Sequence, residues 1–268
     1  MKPGTCAIVF SQRETVRGHF LMTVKVPPSF EKAIPGQFVM VRQEGNTTPF
    51  LSRPFSIYSV YPHGDEIFLE IFYKAVGKGT EALSRLREGN FLNILGPLGR
   101  GFDLPPSFGK IVLIAGGIGI PPLSFLAQRC SEENHGAEIV CYLGAANAEM
   151  LAGLDRLKGI CSAVEISTDD GSRGYHGPVT KLFQRDMGRY AGDDVRIYAC
   201  GPRPMLKALQ GFLKDRPGVC QISLEERMAC GIGACLGCVV RTRSDGGELV
   251  RVCKEGPVFD IGDIDFEE

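Results

Sequence analysis

The chain has 268 residues, a length typical of about two domains. Its 30 lysines and arginines nearly balance its 31 aspartates and glutamates, and 44% of its residues are hydrophobic. These values exclude a disordered chain, a fibrous protein and a strongly basic nucleic-acid binder. Residues 1–4 precede only a short apolar run, so neither a signal peptide nor a lipid anchor is expected and a cytoplasmic location is the default.

Short, strand-like segments punctuated by proline and glycine fill the first part of the chain. This spacing predicts a small antiparallel β-barrel over residues 1–103. The clearest predicted strands are Phe38–Val41, Phe55–Val60 and Glu66–Tyr73. Pro97–Gly101 and the pair Pro105 and Pro106 mark the boundary of this domain.

From residue 104 to residue 224 the pattern changes to apolar strands alternating with amphipathic helices. The alternation predicts a doubly wound parallel sheet with its ligand at the carboxyl ends of the strands. One uncharged stretch, 111–128, is about long enough to cross a bilayer, but glycines and prolines interrupt it, so no membrane span is expected. The predicted strands are Ile111–Ala115, Glu138–Leu143, Ala163–Thr168, Val195–Ala199 and Val219–Ser223, with a helix over Pro204–Lys214.

The ten cysteines divide into two groups. Six lie scattered in apolar segments, as expected of buried thiols in a reducing compartment. The other four crowd into a third segment, residues 225–268, as Cys230-x4-Cys235-x2-Cys238 followed by Cys253. The spacing of the first three is that of plant-type [2Fe-2S] proteins. A zinc site would also accept four thiolates, although it more often pairs two C-x2-C units.

Two glycine turns follow predicted strands of the α/β region. The first, Gly116-Gly117-x-Gly119, has the form GGxGxxP and is not the usual dinucleotide fingerprint. The second is Cys200-Gly201-Pro202. Two such turns at one sheet edge favour a single nucleotide bound across the strand ends, although plain tight turns would explain the glycines as well.

The barrel region holds residues suited to a flavin. Arg53-Pro54-Phe55-Ser56 combines a guanidinium for a pyrophosphate with an aromatic face and a hydroxyl. Phe72-Tyr73-Lys74 and Gly79-Thr80 add a strand end and a glycine turn. An exposed arginine, core aromatics and a hairpin explain the same residues equally well.

Together these segments resemble the ferredoxin reductase-type flavoproteins, and within them the electron transfer subunits of class B dihydroorotate dehydrogenase. The segment from Ser223 to Cys238 and the one from Val252 to Phe259 carry the closest likeness. The resemblance implies that FAD is held by Arg53, Pro54, Phe55, Ser56, Phe72, Tyr73, Lys74, Gly79 and Thr80. It implies that NAD faces Gly116, Gly117, Gly119, Cys200, Gly201 and Pro202, and that the cluster is held by Cys230, Cys235, Cys238 and Cys253.

Cofactor choice follows in part from the residues themselves. The stretch Gly144–Asn147, which follows the second α/β strand, contains no cation to bind a ribose 2'-phosphate, so NAD is favoured over NADP. Two more distant cations, Arg156 and Arg173, would favour NADP instead if either reached the 2'-phosphate.

The resemblance implies a conduit of electrons between NAD and a separate FMN-containing dihydroorotate dehydrogenase subunit, in a two-plus-two heterotetramer of UMP biosynthesis. Neither a catalytic acid nor a catalytic base is expected, because the cofactors carry the chemistry. Three alternatives stay open: an NAD(P)H-ferredoxin or sulfide reductase-type subunit with another acceptor, a redox sensor, and a zinc-stabilised interaction module.

Overall fold

The computed structural model describes residues 5–45, 50–104, 109–133, 136–216, 218–243 and 246–267. Pro105 and Pro106 of the predicted domain boundary lie outside these ranges, whereas Pro97 and Leu98 are the last residues of a strand. Among the described residues, no helix is both long and apolar enough to span a bilayer.

The first part of the described chain is a closed six-stranded barrel in the order β1-β2-β5-β4-β3-β6. Along β5, Ile67, Leu69 and Ile71 point into the barrel core, and the intervening residues point outward, as the two-residue period of a strand requires. The strands are β1 (Thr5–Val16), β2 (His19–Val26), β3 (Phe38–Gln43), β4 (Arg53–His63), β5 (Glu66–Lys74) and β6 (Phe91–Leu98), with helix α1 (Lys78–Ser84) between β5 and β6.

The second part contains a sheet in the order β10-β9-β8-β7-β11-β12-β15, whose pairs are parallel except the last. Its strands are β7 (Lys110–Gly116), β8 (Glu138–Ala145), β9 (Ala163–Thr168), β10 (Tyr175–His176), β11 (Val195–Cys200) and β12 (Cys220–Ser223). Its helices are α2 (Ile120–Glu132), α3 (Leu154–Ile160), α4 (Val179–Asp186) and α5 (Arg203–Leu213).

Alternate residues of β7 face opposite layers of helices. Leu113 packs with α2 and α3, and Ile114 packs with α4 and α5. Because both faces are covered, the strand is apolar throughout, which explains its resemblance to a membrane segment in the sequence. The predicted barrel and the predicted doubly wound sheet are both confirmed.

The C-terminal segment joins the other two parts. It contains a short hairpin, β13 (Val239–Arg241) and β14 (Leu249–Arg251), and then β15 (Val258–Asp260), which pairs antiparallel with β12. Met40 of β3 packs so closely against Gly231 that a Cβ there would lie 2.5 Å from the Met40 Cγ. The Arg100 amide donates to the Gly256 carbonyl at 2.6 Å. The segment is therefore anchored to the sheet and to the barrel.

Candidate functional site

A cleft of about 270 Å³ opens where the barrel, the parallel sheet and the C-terminal segment meet. The barrel side of its wall includes eight residues predicted to hold FAD: Arg53, Pro54, Phe55, Ser56, Phe72, Tyr73, Lys74 and Thr80. Gly79 lies just behind this wall, and a Cβ there would be 2.6 Å from Arg53 Nε. Glycine at this position therefore lets the guanidinium cross the start of α1.

The side chains of these residues have different structural roles. The Phe55 ring packs on the Tyr73 ring with centroids 5.3 Å apart. The Tyr73 phenol donates to Gln12 Oε1 at 2.9 Å, so it turns into the barrel. The Thr80 hydroxyl donates to the Gly77 carbonyl at 3.0 Å and accepts from the Val76 amide at 2.9 Å, so it shapes the turn before α1.

An apolar wall that also carries two cations fits a flavin, which joins a flat aromatic ring system to a pyrophosphate. Phe55 and Phe72 supply apolar surface, and Arg53 and Lys74 supply positive charge. Ligand sites of this kind are mostly apolar with a few placed polar groups. An arginine suits a phosphate because its guanidinium donates two parallel hydrogen bonds.

Sequence reasoning missed the remaining residues of the cleft wall, two of which, Phe38 and Val76, belong to the barrel region. These residues come from separate elements and share no local motif, so only the fold brings them together. They are Phe38, Val76, Ile118, Pro121, Leu224, Glu225, Glu226, Met228 and Pro257. The signal within the sequence was the position of Met228, two residues before a predicted cluster ligand.

The two glycine turns predicted to face NAD lie side by side. β7 and β11 are parallel neighbours with Ala115 opposite Cys200, so both turns stand at the carboxyl edge of the sheet. A Cβ on Gly116 would lie 2.5 Å from Met205 Sδ, and one on Gly201 would lie 2.6 Å from Met205 Cε. Gly117 has a φ of +56° and faces open space.

Gly119 and Cys200 contact each other directly. A Cβ on Gly119 would overlap the Cys200 carbonyl oxygen, so close packing requires glycine there. The Cys200 side chain is only 1% exposed, and burial raises the pKa of its thiol. Cys200 is a packed thiol in this structure, so its side chain does not face an open nucleotide site. Pro202 immediately precedes α5 at the same edge.

The four C-terminal cysteines meet in one loop region as two pairs. The thiols of Cys230 and Cys235 interact with each other, as do those of Cys238 and Cys253. A two-iron cluster takes two thiolates on each iron, so the two pairs fit it.

Backbone amides donate to the sulfurs of these cysteines. The Gly233 amide donates to Cys253 Sγ at 3.0 Å, and the Cys235 amide donates to Cys230 Sγ at 3.4 Å. Burial raises the pKa of Cys230, but the amide donors outweigh burial and bring it down to about 6. These amide donors favour the thiolate of Cys230, the form that binds metal, whereas burial raises the pKa of Cys253 to about 12. Amide donors to cluster sulfurs are typical of iron-sulfur sites, so the residues present fit the group.

An ion pair supports the cluster loop. Arg251 binds Glu255 and holds the pKa of that carboxyl at about 2, and Arg251 Nη1 donates to the Gly233 carbonyl at 3.2 Å. Leu236 adopts a φ of +57°, which is unusual for a residue with a branched side chain. The loop is therefore held in a specific shape by its own contacts.

Glu225 lines the cleft; it is exposed to solvent, but the surrounding protein partly desolvates its carboxyl and raises the pKa of that group. A raised native pKa means that stability is lost as pH rises from the unfolded pKa of about 4.3 through the native value. Glu225→Gln mimics the protonated form. The melting temperature of the variant, relative to wild type, is expected to increase as pH rises from 4 to 8.

Glu226→Gln is the matched control, since Glu226 is the next residue and lies 4.0 Å from Arg203. Melting temperatures of both variants and of wild type across the pH range test the expectation. A Glu225→Gln difference that stays constant with pH would contradict it.

Comparisons with known proteins agree with this geometry. The model of the family described as "Iron-sulfur cluster binding domain of dihydroorotate dehydrogenase B" matches residues 225–265, and "Oxidoreductase NAD-binding domain" matches residues 113–211. In solved structures, the NADH-dependent reduced ferredoxin-NADP oxidoreductase has a TM-score of 0.83 at 27% identity, covering 100% of this chain and 92% of that one. A Neisseria gonorrhoeae ferredoxin NADP+ reductase, at 16% identity and TM-score 0.69, shares the fold over 83% of this chain and 98% of its own.

Two relatives are each named "Dihydroorotate dehydrogenase B (NAD(+)), electron transfer subunit". The protein from Caldanaerobacter subterraneus subsp. tengcongensis is 40% identical over 85% of this chain and 86% of its own length. The one from Desulforamulus reducens is 39% identical over 92% of this chain and 93% of its own. The predicted resemblance is confirmed. The chain belongs to the family of electron transfer subunits of NAD-dependent dihydroorotate dehydrogenase B.

Proposed function

We propose that this chain passes electrons between NAD at the glycine turns, FAD in the cleft and a [2Fe-2S] cluster on Cys230, Cys235, Cys238 and Cys253. When bound, FAD exchanges a hydride with nicotinamide and single electrons with the cluster. Nicotinamide and the cluster do not exchange electrons directly, because one transfers pairs and the other single electrons. Each part of the chain then has its own role, since residues 1–103 hold FAD, residues 104–224 hold NAD and residues 225–268 hold the cluster.

The observation that carries this proposal is the course of residues 224–230. Leu224, Glu225, Glu226 and Met228 line the cleft, and Cys230 follows Met228 after a single residue. Two residues span at most ~7 Å, so one short stretch of backbone touches the flavin cleft and supplies a cluster ligand. FAD in the cleft and a cluster on Cys230 would therefore lie close to each other, as direct electron transfer requires.

The residues of this chain bind the cofactors and orient them. Arg53 is placed to pair with the flavin pyrophosphate, and Phe55 and Phe72 are placed to pack on the flavin ring. Ile118, from the first glycine turn, lines the same cleft, so a nicotinamide at that turn would stand next to the flavin. Side chains that close this cleft exclude water from the reacting atoms.

A catalytic dihydroorotate dehydrogenase subunit is the partner of this family, and a two-plus-two heterotetramer is the assembly we propose. The cluster segment supports a docking site close to its sulfurs. Leu236 and Leu249 are 59% and 57% exposed, and Val239 of β13 is also exposed. Val239 and Leu249 lie on the paired strands β13 and β14, and neighbouring exposed apolar side chains favour an interaction site. The ten cysteines, none of them in a disulfide, support a reducing, cytoplasmic setting.

Leu249→Asp tests the assembly and the function together. It places a charge in the proposed interface, so the two subunits should no longer co-purify and dihydroorotate-dependent reduction of NAD should fall by at least about tenfold. The measurement is native mass spectrometry of the complex, purified anaerobically, with the NADH yield from dihydroorotate. Ile8→Asp, at an exposed position on the barrel, is the control.

A wild-type complex with a mass other than two plus two would overturn the stoichiometry. A wild-type complex that forms no NADH from dihydroorotate would overturn the proposed function and favour a reductase with another acceptor. An intact Leu249→Asp complex would remove this surface from the interface.

A further inference from the structure

Arg156 of α3 spans the boundary between the parallel-sheet domain and the barrel. Its Nη1 lies 2.6 Å from Glu70 Oε2 of β5, and its Nη2 donates to Gln128 Oε1 of α2 at 2.5 Å. Its guanidinium carbon stands 4.4 Å from the centroid of the Tyr58 ring of β4. The ion pair is largely buried, with 25% of the Arg156 side chain and 14% of the Glu70 side chain exposed. The Arg156 guanidinium is thus already engaged by protein groups at this boundary.

The barrel side of this contact leads directly to the flavin wall. Glu70 and Phe72 are two residues apart on the outward face of β5, and Phe72 lines the cleft. The Tyr58 ring, on which Arg156 stacks, packs against the Phe72 ring with centroids 5.3 Å apart. A shift of Arg156 would therefore displace Phe72 in two ways, along β5 through Glu70 and through the Tyr58 ring.

The other side of the contact leads to the nucleotide turn. Gly153 immediately precedes α3, and a Cβ there would lie 3.0 Å from Ile120 Cγ2. Ile120 is the first residue of α2 and directly follows the turn that ends at Gly119. Gln128 lies on the same helix, so Arg156 holds α2 by its side chain and by the packing of its own helix.

We propose that Arg156 is a positioning residue for hydride transfer: it fixes the barrel to the nucleotide-binding domain so that the first glycine turn stands at the correct distance from the flavin wall. The proposal rests on the proposed function. A displacement of about 1 Å between reacting groups can cost ~100-fold in rate. Loss of this inter-domain contact should therefore lower the rate of hydride transfer, although a single ion pair on an ordinary surface contributes little to stability.

The cluster side is not held by Arg156. The C-terminal segment is anchored to the barrel by the Met40 contact with Gly231 and the Arg100 bond to Gly256. Loss of Arg156 should therefore disturb the distance from NAD to flavin and leave the distance from flavin to cluster unchanged. This asymmetry separates a positioning role from a general loss of structure.

The test uses the anaerobically purified complex carrying Arg156→Met. Bleaching of the flavin by NADH, followed by stopped flow, should slow by about tenfold or more. Electrons from dihydroorotate reach the flavin through the cluster, so the rate of flavin reduction by dihydroorotate should stay the same. The FAD content should also stay unchanged. Hydrogen–deuterium exchange of α3 and of β5 should rise. Glu70→Gln is the milder variant, because it leaves the contacts of Arg156 with Gln128 and Tyr58 in place.

A charge swap, Arg156→Glu with Glu70→Arg, should recover most of the NADH-driven rate. Lys25→Gln breaks an exposed ion pair with Glu66 within the barrel and should change neither rate. Equal NADH-driven rates in wild type and Arg156→Met, or equal slowing of both reactions, would overturn the positioning role. A wild-type flavin that NADH does not reduce would instead overturn the proposed function itself.

Discussion

Cys235→Ser is expected to abolish the iron-sulfur centre while FAD stays bound. Cys235 is exposed and pairs with the Cys230 thiol, so its loss takes away one of two ligands at the outer side of the cluster. A hydroxyl is a poor replacement because iron-sulfur clusters select soft thiolates. Iron and acid-labile sulfide should fall from about two per chain to near zero. The visible and EPR signals of the reduced cluster should disappear with them.

FAD content is the internal reference for this experiment, because none of the four predicted cluster ligands lines the cleft. Cys6→Ser is the matched control, since Cys6 is also an exposed free thiol but lies on β1. A normal EPR spectrum from reduced Cys235→Ser would show that the assignment of the ligands is wrong. Equal loss of iron from Cys6→Ser would show that the effect is not specific.

Arg53→Ala is expected to weaken FAD binding by roughly ten- to a hundredfold. A hydrogen bond to a charged group contributes about 1.5–3 kcal/mol, and each 1.4 kcal/mol is about tenfold in affinity. The geometry favours the guanidinium as a phosphate ligand because it stands at the wall of the cleft and Gly79 leaves it room. The dissociation constant of FAD, measured by recovery of flavin fluorescence on dilution, checks this expectation.

Arg13→Ala is the control, because Arg13 is an exposed arginine on β1 and does not line the cleft. Its FAD affinity should equal that of wild type. Unchanged affinity in Arg53→Ala would remove Arg53 from the flavin site. Loss of affinity in both variants would indicate a change in the stability of the barrel.

The elements and their types were predictable because their signals are local. The apolar and aromatic run of Glu66–Tyr73 is a property of neighbouring residues, and so is the periodicity of the helix that the structure begins at Arg203. Strand β15 escaped prediction, because three residues that add to the edge of an existing sheet leave little pattern in the sequence.

The same distinction applies to the candidate site. The cysteine spacing and the two glycine turns are short-range patterns that the sequence displays openly, and their chemistry follows from residue type. The opposite wall of the cleft was not predictable, because Ile118 and Met228 are more than a hundred residues apart and meet through packing alone.

What the sequence by itself determined is the class of chemistry: a thiolate cluster motif, strand-to-helix turns for a nucleotide, and a barrel segment suited to a flavin. What only the tertiary structure decided is how these parts stand to one another. Arg156 shows the difference, since the sequence presented it as a candidate for a nucleotide phosphate and the fold binds it to Glu70. The physical reason is that spacing along the chain limits only near neighbours, whereas long-range contacts depend on how all the elements pack together.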